Sequence, residues 1–250
     1  MGARPLVAVF RPPDGRAARA AAVLEDLGAD VLRDPLVVPA PTEAMPRSDA
    51  DVVVLTSATA AELLQGADWS PGGATVAAIG PRTADALREV GLHVDVVPDR
   101  YDSSGLVEAL AGDVDGRRVE VARSDHGSGT LIRGLEDAGA YVHETVLYRL
   151  GLPDGAGRSV DATLAGEVDA LAFSSSLTVE RFLDLAADRA DPETVAAAVH
   201  GAVVGAIGEP TADTLRAHGV APDVVAPSAT FEALAEAVIA DLEGGGTRHA

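Results

Sequence analysis

The sequence contains no cysteine, no lysine and no asparagine. Without cysteine there is no disulfide framework, no thiolate nucleophile and no zinc–thiolate site. Without lysine there is no Schiff-base nucleophile and no P-loop lysine, and all 19 basic residues are arginine. Aromatic residues make up only 3% of the chain, and no basic stripe carries interleaved aromatics, which argues against nucleic-acid binding. No apolar run approaches membrane-spanning length, and Leu6 to Phe10 is too short for a signal-peptide core. A soluble cytoplasmic protein with no membrane partner is therefore expected. The six histidines lack the spacing of metal ligands, so no metal is expected. Ser124-Asp125-His126 has the residue types of a hydrolase triad but no Gly-x-Ser-x-Gly elbow beside it. Gly127-x-Gly129 lacks the third glycine of a dinucleotide fingerprint.

What is abundant is acid. Aspartate and glutamate number 39 and the net charge is −20, spread along the whole chain from Asp26 to Glu243. Dispersed acidity without lysine or asparagine reads as adaptation to a salt-rich cytoplasm. With 250 residues and 47% hydrophobic content, the chain can bury one large or two moderate cores.

One stretch occurs twice. Ala78-Ile79-Gly80-Pro81-Arg82-Thr83-Ala84-Asp85 returns as Ala206-Ile207-Gly208-Glu209-Pro210-Thr211-Ala212-Asp213, and residues 78–98 share 12 identities with residues 206–226. Each copy follows an apolar run and leads through Gly91 or Gly219 to Asp-Val-Val, the pattern of strand, tight turn, helix and next strand. A turn that places bare helix-start N–H groups at the carboxyl end of a strand binds anions in α/β proteins. Two weaker repeats extend the duplication. Asp51-Val52-Val53-Val54-Leu55-Thr56-Ser57 parallels Asp169-Ala170-Leu171-Ala172-Phe173-Ser174-Ser175, and Val7-Ala8-Val9-Phe10-Arg11 parallels Val119-Glu120-Val121-Ala122-Arg123. An arginine strand, a hydroxyl strand and a Gly-Thr strand thus follow one another twice, which predicts a duplicated α/β unit with parallel sheets.

Two divisions of the chain are open at this point. Tandem repetition alone cuts it near Gly112. The strand-like segments Leu36-Val37-Val38-Pro39 and Thr145-Val146-Leu147-Tyr148-Arg149-Leu150 read instead as crossings, which would join the two ends of the chain into one lobe.

The chain resembles the uroporphyrinogen-III synthase family. The resemblance is carried, in order, by Leu55-Thr56-Ser57-Ala58, Ile79-Gly80-Pro81-Arg82-Thr83-Ala84, Asp102-Ser103-Ser104-Gly105-Leu106 and Val146-Leu147-Tyr148-Arg149, and then by Phe173-Ser174-Ser175-Ser176, Ile207-Gly208-Glu209-Pro210-Thr211-Ala212 and Thr230-Phe231-Glu232-Ala233-Leu234. It implies two similar flavodoxin-like α/β lobes joined by a two-stranded connector, with the active site in the cleft. The first lobe would combine residues 1–36 and 153–243, the second would be 41–144, and segments 37–40 and 145–152 would connect them. Residues 244–250 are expected to be a disordered tail. Because Pro210 stands one place later in its turn than Pro81, a one-residue shift of the second helix start is also expected.

The same resemblance implies the cyclisation of hydroxymethylbilane, a small-molecule linear tetrapyrrole, with inversion of its last ring, loss of water and no cofactor. It leaves room for a transient contact with the preceding enzyme of the pathway. Tyr148 matches the family's connector tyrosine and is the candidate proton donor. The substrate's many carboxylates would meet helix-start hydroxyls and N–H groups at Thr56, Ser57, Thr83, Ser103, Ser104, Ser174, Ser175, Ser176 and Thr211. Arg11 and Arg123, at corresponding strand ends, would pair with carboxylates or else form internal ion pairs. A two-lobed module that binds an anionic ligand without catalysis, and a duplicated regulatory protein, are the competing readings.

Overall fold

The structure, a computed structural model, describes residues 3–12, 15–67 and 69–245. In chain order its elements are β1 (Leu6–Val9), α1 (Gly15–Asp26), β2 (Asp30–Arg33), β3 (Val38–Pro41), β4 (Val52–Leu55), α2 (Ala58–Leu64), β5 (Thr75–Ala78), α3 (Pro81–Glu89), α4 (Ser103–Leu110) and β6 (Arg118–Ser124). There follow α5 (Gly129–Asp137), β7 (Tyr141–Gly151), α6 (Arg158–Leu164), β8 (Ala170–Phe173), α7 (Ser176–Ala187), α8 (Pro192–His200), β9 (Val203–Ala206), α9 (Glu209–Ala217), β10 (Val224–Val225) and α10 (Phe231–Gly244).

The chain forms two compact units. One takes the chain up to Val38 together with Gly151 onward, and the other is Pro39–Leu150, so Gly112 lies inside the second. The first unit holds a parallel sheet in the order β10-β9-β8-β1-β2. In its own chain order this is 2-1-3-4-5 read from the β2 edge, the flavodoxin-like arrangement. The second unit has the order β3-β7-β6-β4-β5, parallel from β7 to β5, with Val96 bridging to Ala77 beyond β5.

The two sheets are built alike but threaded differently. In both, the Gly-Thr strand lies beside the hydroxyl strand and the hydroxyl strand beside the arginine strand (β9-β8-β1 and β5-β4-β6). Each sheet takes its arginine strand from one sequence repeat and its other two from the other repeat, so the repeats have exchanged halves. The exchange reaches individual hydrogen bonds. Asp169 Oδ2 accepts the Leu6 N–H at 2.7 Å, and its counterpart Asp51 Oδ2 accepts the Arg118 N–H at 2.9 Å. Asp223 accepts the Val204 N–H and Asp95 the Val76 N–H, both at 2.8 Å.

Strands β4, β8 and β9 are buried along their whole length, because each sheet carries an apolar cluster on both faces. Three of the four phenylalanines meet on one face of the first sheet, Phe10 stacking on Phe173 at 4.7 Å and Phe182 meeting both edge-on at 5.5 Å.

Two details differ from the sequence expectations. The connector segment 145–152 is the later part of a longer strand: β7 starts at Tyr141 and lies between β3 and β6 within the sheet. Gly244, assigned to the tail, is the last residue of α10, and Gly245 is its C-cap. The rest of the tail, residues 246–250, lies outside the described residues.

Candidate active site

In parallel sheets every strand ends on the same edge, and the segments leaving that edge hold nearly all the candidate residues. Each helix start there leaves backbone N–H groups without helical partners. Most are answered by the chain itself. Ser57 caps α2 by accepting the Ala60 N–H at 3.1 Å, and its counterpart Ser175 caps α7 by accepting the Thr178 N–H at 3.3 Å. Asp102 caps α4 through the Gly105 N–H at 2.7 Å, and Thr230, at the corresponding place, caps α10 through the Ala233 N–H at 3.3 Å. Ser128 caps α5. The short helix α6 is capped from a distance by Asp34.

Among the described helix starts on this edge, the exceptions are the two duplicated turns. Helices α3 and α9 begin directly after Gly80 and Gly208, and neither start receives a side-chain cap. Pro81 is the first residue of α3 and Pro210 the second of α9, yet both helices start at the same place relative to their glycine. The expected shift is absent because the N–H of either position is an orphan that proline can lack without loss. Thr83 and Thr211 are both third in their helices, and their side chains are buried, at 5% and 3% exposure. Both residues are therefore largely covered; the Thr211 N–H donates to the Gly208 carbonyl at 3.1 Å, and the backbone donors nearest each glycine are the N–H groups of Arg82 and Glu209. Gly80 also lies under an aromatic ring, since a Cβ on it would approach Tyr101 at 3.2 Å.

The other candidates separate into engaged and open groups. Ser103 and Ser104 are half-buried first-turn residues of α4, whose positive end is already met by Asp102. The missed signal was the aspartate immediately before that run, which is a cap position. The Asp102 carboxyl is held below the ordinary aspartate value by the Gly105 N–H and then by the hydrogen bond and charge of Arg100, against a smaller desolvation cost. A carboxylate with a depressed folded pKa stabilises above its unfolded value of about 3.9, and that stability is lost as pH falls through the folded value. Urea midpoints measured from pH 5 to pH 2 should therefore fall less steeply in Asp102→Asn, which keeps a cap but does not titrate. Identical slopes would remove Asp102 from the acid response.

Ser176 Oγ donates to the Pro210 carbonyl at 3.0 Å, tying the start of α7 to that of α9. Thr56 and Ser174 are half-buried in the links between strand and cap. Arg11 stacks its guanidinium 4.8 Å from the centre of the Phe231 ring. Arg123 takes the second of the two alternatives open to it, the internal ion pair. It is 5% exposed, and it donates to Glu144 Oε1 and to the Ser128 carbonyl, each at 2.6 Å. Its carboxylate partner is internal because Glu144, on the adjacent strand β7, lies within reach. Gly127 has to be glycine for the same reason, since a Cβ there would collide with the Arg123 side chain. Asp125 accepts the Leu150 N–H at 3.0 Å and meets His126 Nδ1 at 2.9 Å, so these triad-like residues brace the loop against β7.

Tyr148 projects from β7 into the apolar cluster around Val53, Leu55 and Leu64 and is 6% exposed. Its hydroxyl donates to Ser57 Oγ at 3.0 Å. That bond joins the candidate proton donor to a helix cap 91 residues away, a pairing no local motif announces. Among the described residues, no group of three or more acidic or histidine side chains is arranged to hold a metal ion. No described helix is long and apolar enough to cross a membrane.

A family model described as uroporphyrinogen-III synthase HemD matches residues 18–236. The chain belongs to the uroporphyrinogen-III synthase family. It is 37% identical over 230 residues to a Methanothermobacter thermautotrophicus protein that bears the family name, covering 86% of this chain and 90% of that one. It is 28% identical over 218 residues to the uroporphyrinogen-III synthase of Synechococcus elongatus, covering 80% and 81%. Among solved structures, a mutant uroporphyrinogen III synthase of Thermus thermophilus aligns with TM-score 0.62 and 25% identity over 97% of this chain and all of that one. The Helicobacter pylori uroporphyrinogen-III synthetase shares the fold, with TM-score 0.64 at 17% identity over 94% and 97% of the two chains. A synthase of this family is a cyclising lyase of tetrapyrrole biosynthesis.

Proposed function

We propose that this chain converts hydroxymethylbilane to uroporphyrinogen III, with loss of water and inversion of ring D, and that it does so chiefly by positioning the substrate. Loss of the terminal hydroxyl generates an electrophilic azafulvene. Attack by the substituted carbon of the far pyrrole forms a spiro intermediate, and fragmentation and reclosure invert that ring. Unassisted closure gives the uninverted isomer, so control of shape is the main task. Holding reacting ends aligned can supply roughly 7–11 kcal/mol of barrier lowering.

The observation that carries this reading is the pair of uncapped helix starts at Gly80 and Gly208. The helix starts of α2, α4, α5, α6, α7 and α10 each have a side chain on their N–H groups, whereas these two leave theirs for an external anion such as a substrate carboxylate. Thr56 and Ser174, half-buried beside the caps, add hydroxyl donors in both units, and Tyr148 supplies the proton for the departing hydroxyl. A net charge of −20 repels an anionic substrate in dilute buffer. In a salt-rich cytoplasm, at about 1 M salt, the Debye length is about 3 Å, and these local donors decide binding.

The test is to supply freshly made hydroxymethylbilane at high salt and to separate the type I and type III isomers. Type III is expected to dominate. Only type I, in the presence of folded protein, would overturn the synthase reading and leave an anion-binding module without catalysis.

A further inference from the structure

The hydrogen-bond geometry at Ser57 distributes its protons in a definite way. A serine hydroxyl has two lone pairs and one O–H. Ser57 Oγ accepts the Ala60 N–H at 3.1 Å and the Tyr148 O–H at 3.0 Å, which engages both lone pairs. The phenol is the donor of the pair. The hydrogen left over is Ser57's own, and Ser57 is half-buried whereas Tyr148 is 6% exposed. The counterpart serine of the other unit, Ser175, is wired differently, since its Oγ points its hydrogen at Thr178 Oγ1 at 3.3 Å.

We propose that Ser57 and Tyr148 form a two-hydroxyl proton relay in which Ser57 faces the reacting hydroxyl of the substrate and Tyr148 stands behind it as the proton source. The proposal rests on the synthase reading above. In the step it describes, the C–O bond of the terminal hydroxymethyl group breaks and both electrons leave with oxygen. That oxygen takes the Ser57 proton and departs as water, while Ser57 Oγ takes the phenolic proton of Tyr148. The adjacent pyrrole nitrogen donates its lone pair toward the vacated carbon, giving an azafulvenium cation and a tyrosinate. The proton released when the inverted ring regains aromaticity returns to the tyrosinate, so the cycle closes with one water lost. Tyr148 acts through Ser57 and is a positioning and proton-supplying residue; Ser57 is the catalytic contact.

The experiment compares Ser57→Gly, Ser57→Thr, Tyr148→Phe and the Ser57→Gly/Tyr148→Phe double variant by kcat and KM for type III formation. Glycine is a tolerated N-cap residue, so Ser57→Gly removes the hydroxyl while keeping α2, which a thermal melt verifies. A broken general-acid path costs about 10²-fold or more. We expect Ser57→Gly and Tyr148→Phe each to lose about 10²-fold in kcat at unchanged KM. Two links in series fail together, so the double variant should be no slower than the slower single. Ser57→Thr, which keeps hydroxyl and cap, should restore most of the rate. Wild-type kcat in Ser57→Gly, or losses that multiply in the double variant to about 10⁴-fold, would overturn the relay while leaving the synthase reading intact. A wild-type chain that makes no type III isomer would instead bring down the synthase reading itself.

Discussion

Asp34→Ala is expected to lower the unfolding free energy by about 2–5 kcal/mol, the summed cost of leaving two buried N–H donors without an acceptor. Asp34 is 1% exposed. Its Oδ2 accepts the Ser159 N–H at 2.8 Å, the Ser159 hydroxyl at 2.5 Å and the Gly157 N–H at 3.1 Å, and Oδ1 also faces the Gly157 N–H at 3.2 Å. Gly157 is left-handed at φ 100° and has no side chain to cap α6. The carboxylate 123 residues earlier in the chain takes over that office and ties the amino-terminal segment to the carboxyl-terminal one. Alanine would bury unsatisfied N–H and hydroxyl donors, a penalty larger than the net worth of the bonds themselves. Asp34→Asn keeps one acceptor and should lose about half as much. Urea unfolding followed by circular dichroism measures the effect. Trp69, in the other unit, gives a fluorescence signal that should shift less. A loss below about 1 kcal/mol would show that water replaces the carboxylate.

Glu144→Ala is expected to cost about 1.5–3 kcal/mol, the range for a hydrogen bond between charged groups, since Glu144 is itself 39% exposed, and at the same time to show what Arg123 is for. The substitution leaves a guanidinium, 5% exposed, without its anion and with only the Ser128 carbonyl as acceptor. If Arg123 is the brace the geometry describes, stability falls and KM for the bilane changes little. If Arg123 instead serves the substrate, removing its internal competitor strengthens binding, and KM drops. The first outcome is expected, because the Arg123 side chain runs alongside Gly127 under the loop Ser124–Ser128, where a carboxylate arm could reach it only by displacing that loop.

The sequence made the strands, their duplicated order and the hydroxyl positions at their ends readable, because period, apolar runs and turn glycines are local signals. At the duplicated turns the motif points to Thr83 and Thr211 together with the N–H groups of the helix start; that both threonines are covered, as the third residue of their helices, is visible only in the fold. Contacts between distant segments left no local trace. Arg123 to Glu144, Tyr148 to Ser57 and Asp34 to Ser159 join residues 21, 91 and 125 positions apart. Each depends on which strands become neighbours, and two threadings of the same repeats were compatible with the sequence.

The exchanged halves also set an order of assembly on a growing chain. All strands of the Pro39–Leu150 sheet are made within one contiguous stretch, so this unit can close its sheet before the remainder has been synthesised. The central pairing of the other sheet is β1 with β8, in the register Val7 to Ala170. Its first two strands and α1 must wait through the synthesis of a whole neighbouring unit, with the apolar faces of Val7, Val9 and Leu24 uncovered until β8 emerges. During that interval the amino-terminal segment is the part of the nascent chain most in need of a chaperone.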